Sequence, residues 1–263
     1  MVILYKGYNN HSNRLLQAIH LEAFCLENGL RFYNPSFWRM SSLYGVRSSH
    51  LDIIVWSFLC FLNKLRLLKR LKFTDVELQG FYEDTLRRKN LIFVQGWCFR
   101  NYDLTSKYQD RLVAKYALLP KFYERNDLYN QVVSLDRNAC NLVGVHIRGG
   151  DYRTWRRGEF FFTNDVYQKY MNNLDVELDR ITGKKTLFII FSNEVVHLNE
   201  SENIIISTNP WYIDQQIMSL CDYLIGPPST FTLWASYIGK AKYFHIKDDS
   251  GKITLEDFVS FKG

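Results

Sequence analysis

The chain has 263 residues, 47% hydrophobic and 16% aromatic, enough apolar surface for one large or two modest cores; 23% charged residues and only five prolines exclude long disordered linkers. A net charge of +6 suits an anionic ligand or surface, but zinc-finger spacing, RRM-type aromatics and long Lys/Arg tracts are all missing, so no nucleic acid is expected as a partner. Five scattered cysteines (25, 60, 98, 140 and 221), with no CxxC pair, exclude a disulfide framework and a structural zinc site and suit a reducing compartment.

Residues 2–5 read as a first strand, since the start of the chain lacks a basic region, a long apolar region and a small-residue cleavage site; a cytoplasmic location is the expectation. Leu15, Leu16, Ile19, Ala23 and Leu26 then recur at helical spacing over 12–28, stopped by Asn28 and Gly29, and a short strand follows at 30–33. The apolar run 53–62 is well short of the roughly 20 residues a spanning helix needs. After it, Lys64, Arg66, Lys69, Arg70 and Lys72 alternate with Leu65, Leu67, Leu68 and Leu71. This predicts a basic amphipathic helix, which either packs on the core with a solvated basic face or makes a peripheral membrane contact through residues 53–72. A strand at 91–95 and a mostly polar helical region at 105–130 complete the first half.

The second half alternates more regularly. Strands are predicted at 142–147, 187–191, 203–206, 223–225 and 242–246, with helices at about 165–180, 212–221 and 231–239. Such alternation is the signature of parallel sheets with right-handed crossovers, so the fold class is α/β, with two lobes, 1–135 and 136–263, and a ligand cleft between them.

The run Leu142-Val143-Gly144-Val145-His146-Ile147-Arg148-Gly149-Gly150-Asp151-Tyr152 carries the most information. A buried strand ends directly in polar groups and glycines, the arrangement by which open α/β sheets bind ligands outside the carboxyl ends of their strands. A guanidinium there suits a phosphate or carboxylate; the alternative is an ion pair between Arg148 and Asp151 in a tight turn. Strand 187–191 similarly delivers Ser192, Asn193 and Glu194. After strand 223–225, two prolines precede Ser229 and Thr230, which suit the start of a helix whose free N–H groups and macrodipole attract a phosphate; a plain helix cap is the alternative. The polar loop 7–14 lacks both the GxGxxG fingerprint and the GxxxxGK[ST] phosphate loop, which excludes a Rossmann NAD site and a P-loop; its expected role is to bring Asn13, with His11 beside it, toward the cleft.

Taken together and in this order, these segments resemble the GDP-fucose-dependent fucosyltransferases, nearest to bacterial alpha-1,2-fucosyltransferases and more distantly to protein O-fucosyltransferases and alpha-1,6-fucosyltransferases. His146-Ile147-Arg148-Gly149-Gly150-Asp151-Tyr152 is similar to the HxRRGDY motif of that family, and Ser12-Asn13-Arg14-Leu15-Leu16-Gln17 to its GxxGNQxxQ loop. Residues 214–221 resemble its DxxxMSxC helix, 229–234 its SSFSWW segment and Phe191-Ser192-Asn193 its FSDD. Gly149 stands in place of the second Arg, Ser12 in place of a Gly and Arg14 in place of a Gln.

The resemblance implies a GT-B-like fold of two Rossmann-like lobes, 1–135 on the acceptor side and 136–263 binding the nucleotide sugar. It also implies inverting transfer of L-fucose from GDP-fucose to a glycan hydroxyl, with no metal and no cofactor. By the same resemblance, Arg148, Ser229, Thr230 and Thr232 neutralise the departing diphosphate, and His146 and Asp214 hold the nucleoside with Phe231 packed near it. Ser192 lines the donor site and Asn13 reaches the sugar. Asp151, Glu159 and Asp165 are the carboxylates placed to act as general base, with Asp151 the one assigned. The alternatives are another GDP-sugar or acceptor on the same fold, or a catalytically idle nucleotide-sugar or carbohydrate-binding protein.

Overall fold

The computed structural model describes residues 1–46, 48–198 and 201–263, and its contacts divide the chain into two compact units, Met1–Leu119 with Lys262–Gly263, and Pro120–Phe261. In the first, strands β1 (Val2–Lys6), β2 (Phe32–Tyr33), β3 (Arg70–Phe73) and β4 (Ile92–Gly96) form a parallel sheet in the order β2-β1-β4-β3. Helix α1 (His11–Glu27) has the predicted periodicity and ends at Gly29, whose φ of +63° closes the helix without a Cβ penalty. Helices α2 (His50–Lys64), α3 (Gln79–Arg88), α4 (Tyr102–Lys107) and α5 (Gln109–Tyr116) complete the unit. Alternate residues of β1 serve opposite faces. Val2 and Leu4 pack with Phe24 and Val94, while Ile3 and Tyr5 pack with Leu59 of α2 and Leu68.

Two expectations for this half are corrected. The helical region expected over 105–130 is broken into α4, α5 and α6 (Asp127–Val133): Tyr108, at φ −102° and ψ 16°, separates α4 from α5, and Pro120, which disfavours helical backbone at Leu119, lies between α5 and α6. The basic amphipathic helix expected after the apolar run is not one: α2 stops at Lys64, and 70–73 is the edge strand β3. Arg66, at φ +60°, ends α2 in a Schellman turn, with Leu67 N–H donating to the Leu62 carbonyl (2.9 Å) and Arg66 N–H to that of Asn63 (3.0 Å). The order Arg70-Leu71-Lys72-Phe73 alternates with a period of two, the strand signal, and Phe73 is buried.

The second unit contains α6, α7 (Asn164–Thr182), α8 (Trp211–Met218) and α9 (Thr230–Gly239). Its strands are β5 (Cys140–Ile147), β6 (Lys185–Ser192), β7 (Ile204–Ile206), β8 (Tyr223–Gly226), β9 (Lys242–His245) and β10 (Val259–Ser260). Their order is β10-β9-β8-β5-β6-β7, parallel except for β10. This is the doubly wound arrangement, and its direction of winding reverses between β5 and β8. The expected boundary at 135/136 falls inside this unit, because Val132 of α6 is buried against Ile213, Ile217 and Leu142.

Candidate functional site

β5 is buried on both faces, which is why it reads as a continuous apolar run. Val143, Val145 and Ile147 belong to the cluster built on α7, while Leu142 belongs to the cluster built on α8 and α9. By alternation His146 shares the second face. Its Nδ1 lies 3.1 Å from Thr232 Oγ1 and its ring centroid 5.1 Å from that of Phe231. Burial, reinforced by Arg148 and His245, pushes its pKa down to about 3, so the imidazole is neutral near pH 7. Thr232 is fully buried, with its hydroxyl in contact with the His146 ring. Gly226 permits the packing: a Cβ there would come within 2.6 Å of the His146 carbonyl oxygen.

Beyond β5 the chain turns sharply. The Arg148 guanidinium donates to both oxygens of Asp151 (Nε to Oδ1 3.0 Å, Nη2 to Oδ2 3.2 Å) and lies 5.4 Å from the Tyr152 ring centroid. The ion pair weighed from the sequence is therefore present, with the Arg148 side chain largely covered and that of Asp151 exposed. Tyr152 in turn donates its hydroxyl to the Pro228 carbonyl (2.6 Å), tying the turn after β5 to the loop after β8.

The end of β6 secures the glycines of this turn. Ile147 pairs with Ser192 in the sheet, which sets Asn193 and Glu194 beside Gly149 and Gly150. Asn193 Oδ1 accepts from Gly149 N–H (3.0 Å), and Glu194 accepts from Gly150 N–H (2.7 Å) and Arg153 Nη2 (2.9 Å). These two donors hold the Glu194 carboxyl below its usual pKa. Ser192 is half-buried and its hydroxyl accepts from Glu194 N–H (3.1 Å).

Across the reversal in strand order, Ser229 caps α9 by accepting from Phe231 N–H (3.2 Å), and Thr230 opens the helix. No acidic residue sits in the first turn, so the positive end of the helix dipole is not offset locally. Asp214 lies in the first turn of α8, buried, with Ser207 Oγ donating to it at 2.5 Å. Desolvation raises its pKa to about 7 against the opposing effect of that hydrogen bond.

Arg148, Asp151, His146, Ser192, Ser229, Thr230, Phe231 and Thr232 thus gather where β5, β6 and β8 end, and Asp214 stands where the chain enters α8 after β7. Asn13 belongs to the first unit, half-buried in the opening turn of α1. There Tyr8 stacks on Trp97 (centroids 5.2 Å) and Gln17 bridges the ends of β1 and β4 through Tyr8 N–H and the Gly96 carbonyl. Sequence reasoning missed Ser207 and His245, and it gave no partners for Tyr152 and Glu194. His245 ends β9 beside Gly226, with Nε2 buried without a hydrogen-bond partner among the described residues and a pKa pushed down by burial to about 4. A polar residue closing a strand predicted at 242–246 was the available signal for it.

The sequence profile of glycosyl transferase family 11 matches residues 85–250. No curated protein matches the chain. Among solved structures it is similar to a mutant of Arabidopsis thaliana FUT1 in complex with GDP, at 12% identity and a TM-score of 0.61, covering 98% of this chain and 73% of that one. It is also similar to the alpha-1,6-fucosyltransferase NodZ co-crystallised with GDP, at 13% identity and a TM-score of 0.59, covering 96% and 97%. The fucosyltransferase NodZ from Bradyrhizobium matches at 13% identity and a TM-score of 0.57, covering 93% and 94%. At these identities the likeness is one of fold.

Proposed function

The chain belongs to glycosyl transferase family 11, and we propose that it transfers L-fucose from GDP-fucose to a hydroxyl of a glycan acceptor with inversion at the anomeric carbon. The observation that carries this reading is the reversal in strand order between β5 and β8, with Arg148 at the end of one strand and the α9 N-terminus after the other. A topological switch point furnished with a guanidinium and a helix start is suited to a diphosphate. The GDP held by the structural relatives and the GDP-fucose soaked into NodZ support the choice of donor.

In the proposed reaction the acceptor oxygen bonds to the anomeric carbon as the bond from that carbon to the β-phosphate oxygen breaks, and GDP departs. Negative charge builds on the leaving phosphate. Arg148 neutralises it together with Ser229, Thr230 and the N–H groups of α9, and preorganised donors of this kind are worth about 3–4 kcal/mol each in barrier lowering. The Arg148–Asp151 pair loosens as the phosphate competes for the guanidinium. Asp151, on the same turn, then accepts the proton of the attacking hydroxyl. Neutral His146, fixed by Thr232, and Asp214 hydrogen-bond the nucleoside, and Phe231 packs beside it. Ser192 supports the turn that carries Arg148, and Asn13, in the opening turn of α1, is assigned to the sugar.

The test is GDP release from GDP-fucose with a panel of glycan acceptors, with product linkage read by NMR. Fucosylated product with an inverted anomeric centre is expected. Turnover only with another GDP-sugar, or GDP-fucose binding without turnover on any acceptor, would replace this reading.

A further inference from the structure

Helix α2 shields one face of the first sheet with Leu59, Val55 and Leu62, and the stripe it turns outward is also apolar. Leu51, Ile54, Phe58, Phe61 and Leu65, spaced by three and four residues, are each between 50% and 65% exposed. At 100° per residue these five side chains fall within one arc of about 80°, and no charged residue of the helix lies in it. A monomeric soluble protein rarely shows water a contiguous stripe of this kind.

The charge pattern beside the stripe identifies what covers it. Between Ile53 and Thr74 the sequence holds five cations, Lys64, Arg66, Lys69, Arg70 and Lys72, and no acid. Lys64, Arg66, Lys69 and Lys72 are exposed, and the turn at Arg66 leaves Leu67 exposed among them. Asp52, the acid of α2, is occupied by Tyr33 OH (2.5 Å) and Ser49 N–H (2.6 Å), leaving the basic end unmatched within its own element.

We propose that α2 and the basic segment that follows it form a docking surface for an anionic lipid bilayer. The Leu51–Ile54–Phe58–Phe61–Leu65 stripe enters the acyl boundary and the cations from Lys64 to Lys72 meet the headgroups. Apolar insertion combined with attraction to anionic headgroups is the physics of interfacial helices. No helix of the described residues is long and apolar enough to cross a membrane, so the contact is peripheral. A second copy of the chain fits less well. The five side chains of the stripe fall far short of the roughly 20–30 residues a side of a stable interface.

The experiment is co-sedimentation of the full chain with vesicles of phosphatidylcholine alone and of phosphatidylcholine mixed with phosphatidylglycerol, at low and moderate salt. The parent is expected to bind the phosphatidylglycerol vesicles in a salt-sensitive manner and to leave the neutral ones largely unbound. Phe58→Ser with Phe61→Ser, and separately Lys64→Gln with Arg66→Gln and Lys69→Gln, are each expected to weaken binding at least about tenfold. All five altered residues are exposed, and circular dichroism and thermal melting verify the fold of each variant. Absence of binding to either vesicle overturns the proposal. So does a concentration-dependent dimer, in the absence of lipid, that Phe58→Ser with Phe61→Ser converts to monomer. Arg148→Ala is expected to bind vesicles like the parent, which separates failure of this surface from failure of the donor site.

Discussion

The Glu194 carboxylate occupies the space that any side chain at position 149 would enter: a Cβ built on Gly149 would overlap it. From that place it holds Gly150 N–H and the Arg153 guanidinium. Gly149 and Glu194 are therefore one device, in which the missing side chain makes room for an acid that fixes the turn carrying Arg148. Glu194 lies at the end of a flexible side chain and moves aside under pressure, so the cost of filling position 149 is the loss of its two hydrogen bonds rather than a clash with backbone. Gly149→Ala is expected to lower the thermal midpoint and weaken GDP binding several-fold. In a Glu194→Ala background the same substitution should cost markedly less, and a double-mutant cycle by melting and calorimetry measures the difference.

Gly226→Ala meets backbone, not a movable side chain, at the His146 carbonyl. Overpacking of this kind costs about 1–3 kcal/mol, and here it pushes apart the two strands that flank the site. Denaturant unfolding should show the loss, together with a drop in GDP affinity larger than that of an equally destabilised variant in the first unit.

Asp214 and the buried histidines give stability opposing dependences on pH. The Asp214 pKa is raised to about 7, so its favourable contribution is complete below the unfolded value near 3.8 and is lost as pH rises through 7. His20 and His146 are lowered to about 3 and His245 to about 4, so in the window from there to 6.5 the unfolded chain binds more protons and stability rises with pH. Asp214→Asn removes the first effect alone. Between pH 4 and 6.5 its stability should climb more steeply than that of the parent, and equal slopes in chemical denaturation would count against a buried, proton-retaining Asp214.

Thr232→Val keeps the volume at a fully buried position and deletes the hydrogen bond to His146 Nδ1. Loss of about 1–3 kcal/mol is expected from the unsatisfied imidazole nitrogen. If His146 holds the nucleoside, KM for GDP-fucose should rise more than kcat falls; an unchanged KM would assign the pair to structure alone.

Much of the second unit was legible because its signals are local. β5 is buried on both faces and ends in polar residues, and the sequence Pro227-Pro228-Ser229-Thr230 announces the start of α9. The partners of Glu194 were not legible, since they follow from the pairing of Ile147 with Ser192 across two strands about 45 residues apart. β3 was misread because leucines and cations interleave there at a spacing compatible with a helix, and only the turn at Arg66 and pairing with β4 decide for a strand. The 135/136 boundary was set where strand β5 approaches, whereas α6 already packs against α8.

On the proposed reading, the carboxyl edge of β5 and β8 binds a guanosine diphosphate sugar through Arg148. Calorimetric titration of the parent and of Arg148→Ala with GDP, GDP-fucose and UDP-glucose tests it most directly. Micromolar binding of both guanosine ligands by the parent is expected, with none of UDP-glucose and a loss of at least about tenfold in Arg148→Ala, the size of one charge-assisted hydrogen bond. Guanosine ligands that do not bind, or that bind the parent and Arg148→Ala equally, would contradict it.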